Sequence, residues 1–487
     1  MLHLLATFFV YMRVIFLYFL VFVDITVSAQ VSLDLVPFVD VSPERFVYDD
    51  DLLSKSFHAG RRDALRKLMP ENSVAVFFAA PVRNRSNDVN FEYHQDPNFF
   101  YLSGLQEPHS MLFIFKEEVE YTGDSINEII FIQPRDSAKE LWTGRRLGEE
   151  GVQRILGFEK VLLNETFSSF NIDFNSFDKL YYTLPMEDVR DNPVYRGDLY
   201  SLVMHFKQKA ASVLNPENQL ILQEMMAKLR QVKTTDELTL MINAIDFTCN
   251  AQRELMKALK PGMNEYEAEA LIEYVFMKNG SEYPGFPSIL GGGENSCILH
   301  YVSNRRELNE GDLLVCDIGA EYHNYTADVT RTLPVSGKFT VEQKQIYNIV
   351  LEAQQAGIIV SREGNKFWEP GNEAKRVIAQ GLLELEIITD LSQVKQYFMH
   401  GTSHYLGLDV HDVGLFAPLE RGNVITVEPG IYIPEGSPCD PKWWNIGVRI
   451  EDDVLITEGV PEVLSSCVPK TITVIETLMK EPSTITR

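Results

Sequence analysis

No C-x-x-C pair occurs in this 487-residue chain, and its five cysteines, Cys249, Cys297, Cys316, Cys439 and Cys467, fall at irregular spacings. A zinc knuckle and a thioredoxin-like redox motif are thereby excluded. Positive charge is also scarce: Lys plus Arg number 44 against 69 Asp plus Glu, a net charge of −25. Such a balance favours solubility, opposes contact with a phosphate backbone and rules against nucleic acid as a partner. The unbroken apolar run at 14–23 falls well short of the roughly 20 residues that span a bilayer. No internal repeat is visible.

What is present is the composition of a soluble globular protein, 45% hydrophobic and 23% charged, long enough for two domains with their own cores. Arg13 precedes the apolar run, and Val27-Ser28-Ala29 supplies a small-residue cleavage site. Residues 1–29 therefore read as a secretory signal peptide cut after Ala29, with Met12 an alternative start. Two rivals to export are an uncleaved leader that anchors the chain to a membrane and import into mitochondria. The single Arg opposes the latter, because transit peptides are Arg-rich. In an oxidising compartment Cys439 and Cys467 are the pair the sequence offers for a bridge, without establishing it. Cys316, in an apolar strand beside Asp317, reads as a buried thiol.

Hydrophobic periodicity places a helix at 57–69 and strands at 73–80, 111–116 and 128–133, an α/β front half. A boundary is expected near 228–235. There Thr234 and Glu237 form a capping box for a long helix that Lys260-Pro261-Gly262 stops. Asn264 caps a second helix. Two strands carrying Asp317 and Asp328 follow, then a helix whose capping box is Thr340 with Gln343, then one over about 372–387.

Five strings carry the chemistry: V-C-D-I-G-A-E-Y at 315–322, T-A-D-V-T-R-T at 326–332, H-G-T-S-H-Y-L-G at 400–407, V-E-P-G-I-Y at 427–432 and R-I-E-D-D at 449–453. Apolar strands seldom hold an aspartate, because an unpaired buried carboxylate costs several kcal/mol. Four carboxylates with one imidazole, Asp317, Asp328, His404, Glu428 and Glu451, make a hard, oxygen-rich donor set that suits two divalent cations.

In this order the strings resemble the pita-bread metallopeptidases, most closely the Xaa-Pro aminopeptidases (aminopeptidase P). The likeness runs from about residue 40 to 480 and includes C-I-L-H-Y at 297–301 and Y-H-Q-D-P-N-F-F-Y-L-S-G at 93–104. It implies an α+β pita-bread catalytic domain at 229–480, preceded at 30–228 by an α/β amino-terminal domain of the aminopeptidase P/creatinase kind. It also implies release of the residue preceding proline by a metal-bridging hydroxide, with two divalent metal ions, manganese being the expected species. Asp317 would hold one metal, Asp328 and Glu451 would bridge both, and His404 and Glu428 would share one, Glu428 also passing a proton to the leaving amine. His300, His400 and His411 match catalytic, substrate-lining histidines. Tyr432 matches a substrate-binding tyrosine, and Arg449 would orient a ligand carboxylate. Phe100 falls where an aromatic reaches a neighbouring subunit's pocket, although a Phe in so apolar a run is more often core. Proline-containing peptides are the implied partners, and a homo-oligomer, dimer or tetramer, the implied assembly. A prolidase acting on Xaa-Pro dipeptides is the nearest alternative. Prolidases tend to carry an Arg ahead of V-E-P-G, and here only Arg421, in E-R-G-N, lies between His411 and Glu428. A non-catalytic pita-bread binding module is opposed by the intact ligand set.

Overall fold

In a computed structural model, which describes residue 45 and residues 47–185, 189–192 and 194–485, the front half folds around a five-stranded mixed sheet. The leader assigned to 1–29 lies outside the described residues. After helix α1 (Lys55–Leu68), the sheet is built from β1 (Ser73–Phe78), β2 (Met111–Tyr121), β3 (Asp124–Ile132), β4 (Val161–Leu163) and β5 (Lys179–Tyr182), in the order β4-β3-β2-β1-β5. The strand β1 is buried along its whole length, which is why its sequence from Val74 to Phe78 is continuously apolar rather than alternating. Phe113, Phe131, Phe167 and Phe170 pack ring against ring on one face. Phe100 lies in the short helix α2 (Pro97–Ser103) and is buried in a core cluster that the two halves share, with Leu240, Leu406 and Val424 from the second, as its apolar run suggests.

Helix α3 (Pro216–Arg230) leads to the second half. Next come α4 (Thr235–Ala258), with the Thr234–Glu237 capping box formed, and α5 (Glu265–Lys278), with a box from Asn264 to Glu267. These helices back a set of small antiparallel sheets. The pair that carries the first acids is β6 (Leu313–Ile318) and β7 (Val329–Pro334), in which Asp317 faces Thr330. Cross-strand partners project to one side, and residues two apart share it. Asp317, Thr330 and Asp328, one residue ahead of β7, therefore share a face, while Cys316 and Arg331 face the other way. Between the strands Gly319 is obligatory, since a Cβ there would overlap the Ala327 carbonyl oxygen.

Helix α6 (Val341–Val360) follows with its Thr340–Gln343 capping box formed. The next, α7 (Glu369–Glu384), begins and ends three residues ahead of the expected span. Pro370 explains the earlier start, because proline is accommodated in a first turn, where its missing N–H is not needed. Two further strand pairs complete the half: β8 (Val424–Val427) with β11 (Asp452–Leu455), and β9 (Gly430–Ile433) with β10 (Ile446–Arg449). The two ladders stop at Val427↔Asp452 and resume at Gly430↔Arg449, and Glu428 and Glu451 both stand in that gap.

The disulfide is a correction. Cys249, on α4, is bridged to Cys467, with Cα atoms 6.0 Å apart, and Cys439 is free. The helical spacing that marks Cys249 as core-facing is also what brings its sulfur against the segment after β11. Cys316 is buried as expected, and burial raises its thiol pKa well above the ordinary value.

Candidate active site

The two acid-bearing strand pairs are tied together across their ends. The Glu451 N–H donates to the Thr330 carbonyl at 3.1 Å, and Thr330 Oγ1 donates to Glu451 Oε2 at 2.6 Å. The Thr332 hydroxyl exchanges hydrogen bonds with the Arg449 backbone at 2.9 and 3.0 Å. From the third side the loop 402–405 runs along β8: the Glu428 N–H reaches the Thr402 carbonyl at 2.9 Å, and the Thr426 N–H reaches that of His404 at 3.0 Å. Asp317, Asp328, His404, Glu428 and Glu451 are thereby brought to one point. Ligand atoms of Asp328, His404 and Glu451 lie within 4.8 Å of one another. His404 Nε2 is 3.4 Å from Asp328 Oδ2 and 3.8 Å from Glu428 Oε1.

Three observations show that these residues fit divalent cations. The inward oxygens Asp317 Oδ1 and Asp328 Oδ1 are buried without a hydrogen-bond partner, which native proteins rarely tolerate. Burial first, then mutual repulsion among the acids, pushes the carboxyls of Asp328 and Glu451 well above the usual range. Burial likewise raises that of Glu428, although His404 and Arg449 pull against it. Finally, His404 Nδ1 lies 3.0 Å from the Tyr405 carbonyl oxygen. In neutral imidazole that contact requires the proton on Nδ1 and leaves a lone pair on Nε2, aimed at carboxylate oxygens. A lone pair facing anions is a repulsive arrangement until a cation stands between them.

Above this floor is a cavity of about 270 Å³ lined by His300, Asp317, His400, His404, His411, Glu428 and Arg449 among others. His300 and His411 are exposed at its rim, and the rings of His404 and His411 meet edge-on at 4.4 Å. His400 is fixed on both nitrogens, Nδ1 at 2.6 Å from the Gly401 carbonyl and Nε2 at 2.9 Å from the Tyr432 hydroxyl. Burial and the nearby Arg449 lower its pKa to about 4, so the ring is neutral. Arg449 donates to Tyr432 Oη at 2.9 Å and to Asp317 Oδ2 at 2.7 Å, which makes it the link between the acid cluster and the His400 wall. Tyr432 is fully buried behind that wall. Arg421 pairs with Glu458 at the surface, both side chains exposed, and does not line the cavity.

Several residues around the site have partners that their sequence strings do not disclose. Asp453 Oδ2 accepts from the Asp328 N–H at 3.2 Å. Asp452 is paired with Arg331 at 2.7 Å and accepts from Gln354 at 2.6 Å. Their common signal is a run of acids in a buried strand. Asp412, adjoining His411, is buried against Arg230 and against Lys233 at 3.0 Å, and Arg230 also reaches Asp409 and Asn98. That cluster joins the end of α3 to the histidine loop, and no local spacing announces a pairing between residues so distant in sequence.

The comparisons with known proteins agree with this geometry. Residues 239–458 match metallopeptidase family M24, and residues 58–177 match the aminopeptidase P N-terminal domain. The chain is 35% identical over 443 residues to Xaa-Pro aminopeptidase of Escherichia coli, covering 88% of this chain and 98% of that protein. It is 30% identical to the mitochondrial intermediate cleaving peptidase 55 of Arabidopsis thaliana, covering 87% of this chain and 82% of that one. Among solved structures, aminopeptidase P from E. coli with the inhibitor Pro-Leu superimposes with a TM-score of 0.78 at 33% identity, over 88% of this chain and 99% of that one. A zinc-substituted form of the same E. coli enzyme with its product gives 0.77 at 34% identity, with the same coverage.

Proposed function

The chain belongs to metallopeptidase family M24, in its aminopeptidase P branch, and from that premise we propose that it is an Xaa-Pro aminopeptidase, releasing the N-terminal residue of peptides whose second residue is proline. The observation that carries this reading is the convergence of four carboxylates and His404 Nε2 beneath a cavity rimmed by His300, His400 and His411.

Asp317, Asp328, His404, Glu428 and Glu451 would hold two divalent ions, and manganese suits so oxygen-rich a set. When bound, such ions lower the pKa of water towards neutrality and polarise a carbonyl. The remaining work belongs to the chain's own side chains. Asp317 takes the N-terminal side of the substrate, which enforces exopeptidase register. The neutral His400 ring, locked by Tyr432 and Gly401, forms a fixed wall for the pyrrolidine ring. His300 and His411 offer imidazole N–H donors to the oxyanion that develops on the scissile carbonyl. Glu428 carries a proton to the departing proline nitrogen, and Arg449 keeps Asp317 and Tyr432 in mutual register.

The surface placement of Arg421 supports aminopeptidase over prolidase, because no arginine from that segment is available to hold a dipeptide's carboxylate. The Cys249–Cys467 bridge supports an oxidising compartment and hence export with cleavage after Ala29; mass spectrometry of the mature amino terminus tests it. Exposed Leu141 and Trp142 on the front domain offer apolar surface that a second copy would cover, in keeping with a homo-oligomer. The deciding assay for function compares an Xaa-Pro dipeptide with an Xaa-Pro-Xaa tripeptide after manganese is added. Turnover of the tripeptide alone is the expected result; turnover confined to the dipeptide would make the protein a prolidase.

A further inference from the structure

A second cleft, of about 530 Å³, opens beside the active-site cavity and shares His400, Gly401 and Ser403 with it. The smaller cavity, at about 270 Å³, lies just below the roughly 300–1,000 Å³ typical of sites that enclose a whole small ligand. A longer peptide must therefore leave it. Under the proposed function, on which this inference rests, the substrate's amino end lies at Asp317 and its proline against His400, so the chain runs from the first residue towards the second. The residues after proline are delivered to the shared wall and the cleft beyond.

The lining of that cleft is unusual for this protein. The chain carries a net charge of −25, yet the cleft contains Lys375 and Lys395 and no carboxylate. Neither lysine has an ion-pair partner among the described residues. Lys366 adds a third cation, its Nζ 5.9 Å from the ring of Trp368, which also lines the cleft. Trp368 and Met399 are half exposed, at 54% and 50%, and give the cleft apolar surface. At the junction with the active site the Ser403 hydroxyl is buried with no partner. Local positive charge on an acidic protein focuses anions, while an apolar floor and an unsatisfied hydroxyl suit a peptide rather than an inorganic ion.

We propose that this cleft is the subsite for the residues that follow proline, and that Lys375 and Lys395 make it select carboxylate-bearing peptides, through acidic side chains or a nearby C-terminus. The probes are Ala-Pro-Ala-Glu-Glu-amide, its Lys-Lys counterpart, Ala-Pro-Ala-Ala-Ala as free acid and as amide, and the short Ala-Pro-Ala-amide, all with the metal-loaded enzyme. The acidic peptide is expected to exceed the basic one in kcat/KM by roughly threefold to tenfold at low salt, the range two partly exposed ion pairs supply, and to lose that lead as salt rises. The Lys375→Glu/Lys395→Glu variant should reverse the order while leaving Ala-Pro-Ala-amide unchanged, which also shows that the variant is folded. The free-acid and amide pair reports whether a terminal carboxylate serves as well as a side chain. Equal rates in the wild type, or a preference that survives the double variant, would overturn the proposal. Failure to cleave Ala-Pro-Ala-amide would instead count against the proposed activity. In that event binding of the same peptides, read by tryptophan fluorescence with Trp368→Phe as control, still decides the cleft: charge-dependent binding upholds it and indifference overturns it.

Discussion

Replacing Asp412 with Ala tests whether the histidine loop is held by charge. Asp412 is fully buried between Arg230 and Lys233, themselves buried. Arg230 keeps Asp409 at 3.1 Å and Asn98 at 2.8 Å after the substitution, but Lys233 Nζ loses its only hydrogen-bond acceptor among the described residues. Leaving one member of a buried pair uncompensated costs about 3–5 kcal/mol. Because only Lys233 is stranded, the lower end, about 3 kcal/mol, is expected. Urea unfolding read by tryptophan fluorescence and far-UV circular dichroism measures it, as a fall in midpoint with unchanged slope wherever the two probes coincide. The pH dependence follows from the same contacts. Burial by itself would raise the Asp412 carboxyl, but Arg230 and Lys233 outweigh it and hold it below the ordinary range. A depressed folded-state pKa contributes stability that is complete above the unfolded value of about 4 and disappears as pH falls through the folded value. The wild-type advantage over Asp412→Asn should therefore be level from neutrality to about pH 4 and shrink below it. A loss under about 1 kcal/mol, within the range of an ordinary surface pair, or one no larger than that of Asp409→Ala, would refute the reasoning.

Asp328→Ala and Glu451→Ala should each abolish turnover while lowering thermal stability far less than rate; more than about a tenth of wild-type turnover with full metal occupancy would contradict their place as bridging ligands. His411→Ala should lower the rate by about 10²–10³-fold, the usual effect of losing one oxyanion donor, with both metals still bound by metal analysis. Loss of metal in that variant would make His411 a ligand, and unchanged turnover would make it structural. Cys249→Ser, or reduction of the wild type, opens a bridge spanning 218 residues of sequence and should remove roughly 2–5 kcal/mol from unfolding stability; an unaltered urea midpoint after reduction would show that the bridge is not formed.

The parts of this molecule that were legible in its sequence are those whose physics is local. The Thr234–Glu237 and Thr340–Gln343 capping boxes formed because both halves of each contact lie within one turn. Asp317 on β6 and Asp328 at the entry to β7 announced themselves because a carboxylate in an apolar segment demands a partner. Residues whose partners are distant in sequence were not legible. Cys467 chose Cys249 over Cys439, since pairing depends on where α4 packs and not on proximity along the chain. Asp412 stands beside His411 in D-V-H-D, but the charge that gives it meaning comes from Arg230 and Lys233, almost two hundred residues earlier. Phe100 belongs with the legible residues: its apolar surroundings in the sequence already described its buried environment.

Arg449 explains how so acidic a cluster is held in register with the His400 wall. Its guanidinium is almost fully buried, and burial would favour loss of its charge, yet the surrounding acids and Tyr432 keep it protonated. One rigid fork therefore touches the Asp317 carboxylate with one nitrogen and the Tyr432 hydroxyl with another. That hydroxyl then has its proton free for His400 Nε2, whose own Nδ1–H is committed to Gly401. Every proton in the chain has one place to go, so the neutral His400 ring is held in a single orientation. A lysine could neutralise Asp317 equally well but could not fix two acceptors at a set angle. The distance from the acid cluster to the His400 wall is thus set by a single planar side chain.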